Sequence, residues 1–334
     1  MLIPVLLFIV GLACLIKGGD WFVDGAAGIA KKFRMPEILV GATVVSIGTT
    51  LPEVMVSASS AVMGHGEIAY GNAIGSIICN TALIAAITIA VRPSDVERKS
   101  LVVPTCFFFI AATFYCATAY AFGFFSRVTG ILLLILFIIY MVLTVRQAVK
   151  SPERASEFSL ESAPSPEDKA DEGKEKERAL WLLIVLIIIG AALIAVGADL
   201  LVDNGTLIAQ ALGVPESVIA LTFVALGTSL PELVTAITSL AKGYGALSLG
   251  NVIGANLFNL VLVCGLSCTL SPFPVPVGKQ IGGLPASFVI DIPLMFIVMA
   301  FVTIPALIRG KLSRIQGIVL LAVYAAFCIF QFVG

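Results

Sequence analysis

Apolar residues run along this chain in long blocks, and polar residues collect in the short gaps between them. A helix that crosses a bilayer needs about 20 consecutive, mostly apolar residues. Blocks of that length predict ten spans, near residues 2–29, 37–63, 67–90, 100–122, 127–147, 179–203, 216–241, 246–270, 285–308 and 315–333. The first block lacks a basic leading segment, so it reads as a helix and not as a cleaved signal. One stretch has the opposite character. Residues 149–178 are rich in Pro, Ser, Glu and Lys and almost free of apolar side chains. Such a segment cannot bury enough surface to offset its chain entropy. It is expected to be a disordered linker, helical only near Glu175–Ala179, and too short for a folded regulatory domain. The expected organisation is a first five-helix repeat (1–148), the linker (149–178) and a second five-helix repeat (179–334).

Composition agrees with this pattern. The chain is 59% hydrophobic and 12% charged, where a soluble domain carries about 25% charged residues. It is therefore an all-α polytopic membrane protein with the lipid bilayer as its surroundings. A net charge of −1 gives no basis for a nucleic-acid partner. The seven cysteines are scattered, mostly within spans, without a CxxC pattern, and read as packing residues.

Basic residues alternate between loops. Lys31, Lys32 and Arg34 follow the first span, Arg92, Arg98 and Lys99 the third, Lys242 the seventh, and Arg309, Lys311 and Arg314 the ninth; the linker adds more, with Arg146 at its edge. The intervening loops hold His65, Arg127 and Lys279. By the positive-inside rule the first set is cytoplasmic. Both termini are then expected outside and the linker inside.

A shift of 179 residues brings the two halves into register. Asp20 meets Asp199, Asp24 meets Asp203, Pro36-Glu37 meets Pro215-Glu216, and Thr43 meets Thr222. Gly48-Thr49 meets Gly227-Thr228, Leu51-Pro52-Glu53 meets Leu230-Pro231-Glu232, Gly71-Asn72 meets Gly250-Asn251, Gly75 meets Gly254, and Asn80 meets Asn259. The matches are Gly, Pro, Asn and Glu, not the apolar residues that any two membrane helices share. They imply a gap-free duplication. Each half has five spans, so the second enters the membrane from the opposite side. Two inverted-topology five-helix repeats are the architecture of secondary transporters, with the substrate near the midplane at the repeat interface.

Glu53 and Glu232 stand out within that interface. A carboxylate at bilayer depth costs roughly 2.5–3.5 kcal/mol on insertion scales, and marks a functional site facing a cavity. Pro52 and Pro231 lack an N–H and clash with the carbonyl four residues earlier. This predicts distorted backbone at Gly48–Thr50 and Gly227–Ser229, with freed carbonyl oxygens. Thr49 and Thr50 share the face of Glu53, extended by Ser46, Ser57 and Ser60. Thr228, Ser229, Thr235 and Ser239 do the same around Glu232. Asn72, Ser76 and Asn80 line one face of the third span, and Asn251, Ala255 and Asn259 line its counterpart. The glycines among them permit close helix packing, so helix–helix adhesion is the competing reading of this face. The donors are all hard oxygens, which suits Ca²⁺ or Na⁺, and Mg²⁺ less well, rather than Zn²⁺ or Cu⁺. Two ionised glutamates balance one Ca²⁺, two Na⁺ or two protons, and that equivalence is a physical basis for antiport.

GTTLPE (48–53) with GNAIGSIICN (71–80), and GTSLPE (227–232) with GNVIGANLFN (250–259), resemble the paired repeats of the cation/Ca²⁺ exchanger superfamily, most closely its prokaryotic Na⁺/Ca²⁺ exchanger branch. The resemblance covers essentially the whole chain. It implies a multi-pass protein of the plasma (inner) membrane, extruding Ca²⁺ in exchange for Na⁺ by alternating access, with long tilted first and sixth helices that slide. No cofactor is implied beyond the transported ions. Carried across, Glu53 and Glu232 would be central Ca²⁺ ligands, and Thr49 and Thr228 would add backbone carbonyls. Thr50, Ser229, Ser76 and the carbonyls of Ser46 and Ala225 would serve flanking Na⁺ sites. Asn80 would sit beside the glutamates. The chain departs at Ala255, where some members have serine, and at Asn259, where some have aspartate; Asn259 cannot titrate.

Ca²⁺/H⁺ exchange through the same glutamates is the nearest alternative, although hydroxyl ligands favour Na⁺. A passive cation channel is a further one. An intramembrane protease would need HExxH or a paired catalytic aspartate arrangement, and the spans carry neither. Asp20, Asp24, Asp199 and Asp203 read as helix-end and ion-pair residues, Lys17 being one turn from Asp20. His65 reads as an exposed turn residue, and Asp291 has no assigned role.

Overall fold

The computed structural model of the chain describes residues 2–33, 35–93, 96–150, 179–212, 227–277 and 280–333. Its helices are α1 (Leu2–Phe33), α2 (Glu37–Val62), α3 (Gly66–Val91), α4 (Arg98–Phe122), α5 (Arg127–Lys150), α6 (Leu180–Ala211), α7 (Leu230–Ala241), α8 (Gly245–Leu270), α9 (Ser287–Arg309) and α10 (Arg314–Val333). Nine are long and apolar enough to cross a bilayer among the described residues; α7 is shorter. The expected seventh span reaches back to residue 216, and residues 216–226 lie outside the described residues, as does nearly all of the 149–178 linker. Residues 149 and 150 of that segment close α5 as helix. Both α1 and α6 run for 32 residues, past the expected ends at 29 and 203. At 1.5 Å per residue each is about 48 Å long, against an apolar bilayer core of about 30 Å, a mismatch that tilting accommodates.

The internal repeat is visible in the elements. Helix α8 starts and ends 179 residues after α3, and both widen into π-helical turns at matching places, Asn80–Ala85 and Asn259–Cys264. Beyond them the register changes. Gly123 (φ 62°) closes α4 and Gly310 (φ 67°) closes α9, while Arg127 opens α5 and Arg314 opens α10, both pairs 187 apart. The duplication is therefore not gap-free. Eight residues have been added in the second half, where β3 (Gln280–Ile281) and β4 (Leu284–Pro285) form a tight antiparallel hairpin. Gly282 (φ 59°) and Gly283 (φ 86°) supply its two left-handed turn residues.

Two contacts establish that the halves are inverted and intertwined. A methyl group on Gly18 would fall 2.9 Å from the Gly190 carbonyl, and one on Gly11 would fall 3.0 Å from that of Gly197. Residue numbers rise along α1 as they fall along α6, so these equivalent helices are antiparallel at van der Waals distance. The second contact exchanges partners. Gly130 of α5 sits against Gly265 and Thr269 of α8, and Gly317 of α10 sits against Ala86 and Ala90 of α3. Each fifth helix thus packs on the third helix of the other half.

The helix-connecting loops repeat the exchange. Val96 N–H donates to the Gly310 carbonyl (2.8 Å) and Val275 N–H to that of Gly123 (2.9 Å). Arg314 caps the Val91 carbonyl (3.3 Å), and Arg127 caps that of Leu270 (3.4 Å). Beside the second junction, β1 (Phe124–Phe125) pairs antiparallel with β2 (Phe273–Pro274). There Tyr115 and Phe125 stack with centroids 4.2 Å apart, within the largest buried apolar cluster.

Candidate functional site

Glu53 lies in the second half of α2, and Glu232 in the first turn of α7. The backbone leading to Glu232 is a turn at Gly227–Ser229, as its proline suggests; α7 begins at Leu230, with Pro231 in the first turn, where a missing N–H costs nothing. Around Glu53 the outcome differs. The helix continues through Gly48–Thr50 with Pro52 inside it, and the irregular turn sits earlier, as a π-helical segment at Gly41–Val45. Tyr140 of α5, wholly buried, donates from its hydroxyl to the Ala42 carbonyl there (2.9 Å).

Glu53, Glu232, Asn80 and Asn259 are all fully buried. Neither carboxylate and neither carboxamide has a hydrogen-bond partner among the described residues. Buried polar groups are ordinarily paired, and each exception calls for an explanation. The two glutamates are close enough for their charges to interact, and the Thr49 and Thr50 hydroxyls lie beside Glu232. The asparagines open the wide turns of α3 and α8. The turn at Asn80 packs on α7, which carries Glu232, and the turn at Asn259 packs on α2, which carries Glu53. Each half thus sets an asparagine against the other half's glutamate helix. Wide turns leave carbonyls less tightly engaged and recur at functional sites. Their placement at asparagines was not foreseen; two unpartnered amides 179 residues apart in apolar helices were the available signal.

The remaining hydroxyls bond largely across the two halves. Thr49 donates to Asn251 Oδ1 (3.3 Å), and Thr228 donates to Asn72 Oδ1 (3.2 Å), the same contact in each half. Ser46 has one proton and three acceptors in reach: the Gly41 carbonyl (2.8 Å), the Asn251 carbonyl (3.0 Å) and Asn251 Oδ1 (3.2 Å). Asn251 in turn donates to Thr235 (3.0 Å), whose hydroxyl reaches the Glu232 carbonyl (3.0 Å). Asn72 donates to Ser57 (2.8 Å) and the Glu53 carbonyl (3.3 Å). Asn72 and Asn251 therefore brace the glutamate helices. They were placed on the polar faces but not among the site residues.

The two halves differ at several positions of this frame, Ser46 matching Ala225, Ser57 matching Ala236 and Thr235 matching Val56, and one further difference lies beside the glutamates. Ser229 reaches the Ser76 hydroxyl at 3.5 Å, at the limit of a hydrogen bond. Its equivalent, Thr50, would face residue 255, which is alanine, and the Thr50 hydroxyl is buried without a partner. Ala225, the last of the expected carbonyl donors, lies outside the described residues.

A narrow crevice runs beside the glutamate turns, lined by Phe22, Gly48, Pro52, Ala191, Ile194 and Pro231. It lies between the long α1–α6 pair and both prolines. Nearby, Lys242 binds Asp24 (2.6 Å) and Asp20 (3.4 Å), tying the end of α7 to α1. Asp20 is thus paired across helices and not with Lys17, whose ammonium lies 6.0 Å over the Trp21 ring. His65 is exposed at the start of α3, and Asp291 accepts from Gln331 (3.2 Å).

Known proteins share this architecture. A profile for the sodium/calcium exchanger protein family matches residues 3–146 and 182–333. The chain is 34% identical over 328 residues to an uncharacterized membrane protein of Methanocaldococcus jannaschii, MJ0091, covering 95% of this chain and 94% of that one. It is 30% identical over 350 residues to the sodium/calcium exchanger MaX1 of Methanosarcina acetivorans, covering 98% of each. Among solved structures, the sodium–calcium exchanger NCX_Mj soaked with 2.5 mM Na⁺ and 10 mM Sr²⁺ superposes with a TM-score of 0.77 at 32% identity, over 97% of both chains. With its inverted five-helix repeats and buried glutamate pair, the chain belongs to the sodium/calcium exchanger protein family.

Proposed function

We propose that this protein is a secondary antiporter that moves Ca²⁺ across the membrane in exchange for Na⁺ by alternating access, and is not an enzyme. Glu53 and Glu232 would form the midplane cation site. The observation that carries this reading is the set of four buried carboxylate oxygens without hydrogen-bond partners, one pair from each half. Left ionised and unpaired, each carboxylate would carry a desolvation cost of several kcal/mol. Cations of total charge two balance that cost, whether one Ca²⁺ or two Na⁺. Asn80 and Asn259 would add amide oxygens, and Thr49 and Thr228 backbone carbonyls. Thr50, Ser229, Ser76 and the carbonyls of Ser46 and Ala225 would serve Na⁺.

The hydroxyl frame favours Na⁺ over protons as the counter-ion, because a proton on a carboxylate needs no further oxygen ligands. The two repeats, 1–148 and 179–334, would be joined by a cytoplasmic linker, with both termini outside. The test is ⁴⁵Ca²⁺ uptake into proteoliposomes loaded with Na⁺, compared with matched vesicles given only a pH gradient. Uptake with the Na⁺ gradient alone supports this reading. Uptake driven only by the pH gradient would replace it with Ca²⁺/H⁺ exchange, and uptake indifferent to either would indicate a channel.

A further inference from the structure

Three buried side chains form a polar node that the internal repeat does not duplicate. Asn256 of α8 donates to the Thr81 hydroxyl of α3 (2.7 Å) and to the Met299 sulfur of α9 (3.1 Å). Thr81 directs its one proton at the Ile77 carbonyl (2.8 Å), with the same sulfur at 3.3 Å. All three residues are fully buried. In the 179-residue register Asn256 matches Ile77 and Thr81 matches Leu260; in the 187-residue register of α4 and α9, Met299 matches Ala112. Those three are also fully buried, inside the largest apolar cluster. The fold therefore fills one set of these positions with polar groups and the matching set with apolar ones.

Adhesion between helices is the simplest role for such a node, but hydrogen bonds between membrane helices contribute only modestly. Against that contribution, Asn256 Oδ1 is buried with no donor among the described residues. A buried acceptor left unpaired costs at least as much as a neutral hydrogen bond returns. The matching apolar positions show that packing does without the node. What the node does supply is a path between the two asparagines of the centre. The Asn259 N–H reaches the Asn256 carbonyl, and the Asn80 N–H reaches the Ile77 carbonyl. Between those carbonyls run the Asn256 amide and the Thr81 hydroxyl, whose bond crosses from one half to the other. Each end of the path is the residue that opens a wide turn. Groups that hold ligand-bearing residues from outside set the affinity of a metal site.

We propose that Asn256, acting through Thr81, is a positioning residue of the cation site: it fixes the wide turns of α3 and α8 against each other, and so the places of Asn80 and Asn259. The inference rests on the reading of the centre as a Ca²⁺ site.

The test measures equilibrium ⁴⁵Ca²⁺ binding and ion-free thermal denaturation on the full-length protein purified in detergent. One variant copies the matching apolar residues: Asn256→Ile, Thr81→Leu and Met299→Ala together. Thr81→Val removes only the hydroxyl, and Thr81→Ser keeps it. The apolar triple is expected to melt at or above the wild type and to bind Ca²⁺ about tenfold more weakly. Thr81→Val should lose about tenfold as well, and Thr81→Ser should recover most of that loss. A purely adhesive node would do the reverse, lowering the melting temperature and leaving the affinity alone. If the triple melts below the wild type, the Thr81→Val and Thr81→Ser pair decides. Wild-type affinity in Thr81→Val, or an equal loss in Thr81→Ser, would overturn the inference and leave the Ca²⁺ site standing. A wild type that binds no Ca²⁺ would overturn the proposed function and this inference with it.

Discussion

Glu53→Gln separates the stability of the site from its function, because the two should move in opposite directions. Glu53 is fully buried and its carboxylate has no partner among the described residues. Replacing it by an isosteric amide removes a charge and keeps the volume. On insertion scales an acidic side chain at this depth costs about 3 kcal/mol, of which an amide, still polar, recovers part. The ion-free variant is therefore expected to be more stable than the ion-free wild type by about 1–2 kcal/mol. Ca²⁺ should behave conversely. At a hundredfold its dissociation constant, a ligand that binds only the folded state adds about 2.7 kcal/mol. At roughly 2–4 °C per kcal/mol, the wild type should melt on the order of 5–10 °C higher with Ca²⁺ than with chelator. The variant should melt above wild type in chelator, show no Ca²⁺-dependent rise, and transport no ⁴⁵Ca²⁺. Thermal denaturation of the detergent-purified proteins measures all but the last. A variant that melts below wild type in chelator, or that retains the Ca²⁺-dependent rise, would refute the argument that Glu53 is a destabilising carboxylate kept for a cation.

Three further substitutions probe the surrounding frame. Ala255→Ser gives the buried Thr50 hydroxyl the kind of neighbour that Ser229 has in Ser76, and should raise thermal stability by about 1 kcal/mol; a lower melting temperature would show that residue 255 has no room for an oxygen. Asn251→Ala takes the acceptor from the buried Thr49 hydroxyl and the donor from Thr235, which keeps its own bond to the Glu232 carbonyl, and should cost about 2–4 kcal/mol, more than Asn72→Ala, whose site is only part-buried; the reverse order of melting temperatures would contradict the bracing role. Asn259→Asp adds a titratable group to the centre and should change the pH and ion dependence of Ca²⁺ uptake with expression unaltered, whereas an unchanged pH profile would place residue 259 away from the ions.

The helical membrane fold and the inversion were legible because each rests on a coarse signal, apolar length and five spans in each half, and the burial of Glu53 and Glu232 followed from a rare residue in an apolar run. Finer features depended on contacts that no single segment reveals. The π turns at Asn80 and Asn259 follow from packing between halves, and local propensity does not encode them. Pro52 predicted a distortion at Gly48–Thr50, but the helix runs through those residues, and the irregular turn lies earlier, at Gly41–Val45, where Tyr140 bonds the Ala42 carbonyl. The eight-residue insertion at the Gln280–Pro285 hairpin escaped notice because the motifs that define the register all precede it. Lys17 was the sequence neighbour of Asp20, but Lys242, 222 residues away, is the spatial one.

The exchange of fifth helices also bears on how the protein is made. Gly130 of α5 has its mating surface at Gly265 and Thr269. Those residues leave the ribosome well over a hundred positions later, a delay of roughly 7–30 s at ordinary rates of synthesis. During that interval the first half sits in the bilayer with a helix face whose partner does not yet exist. Neither repeat can complete its own interior, so the unit that matures is the pair, and insertion must run ahead of assembly.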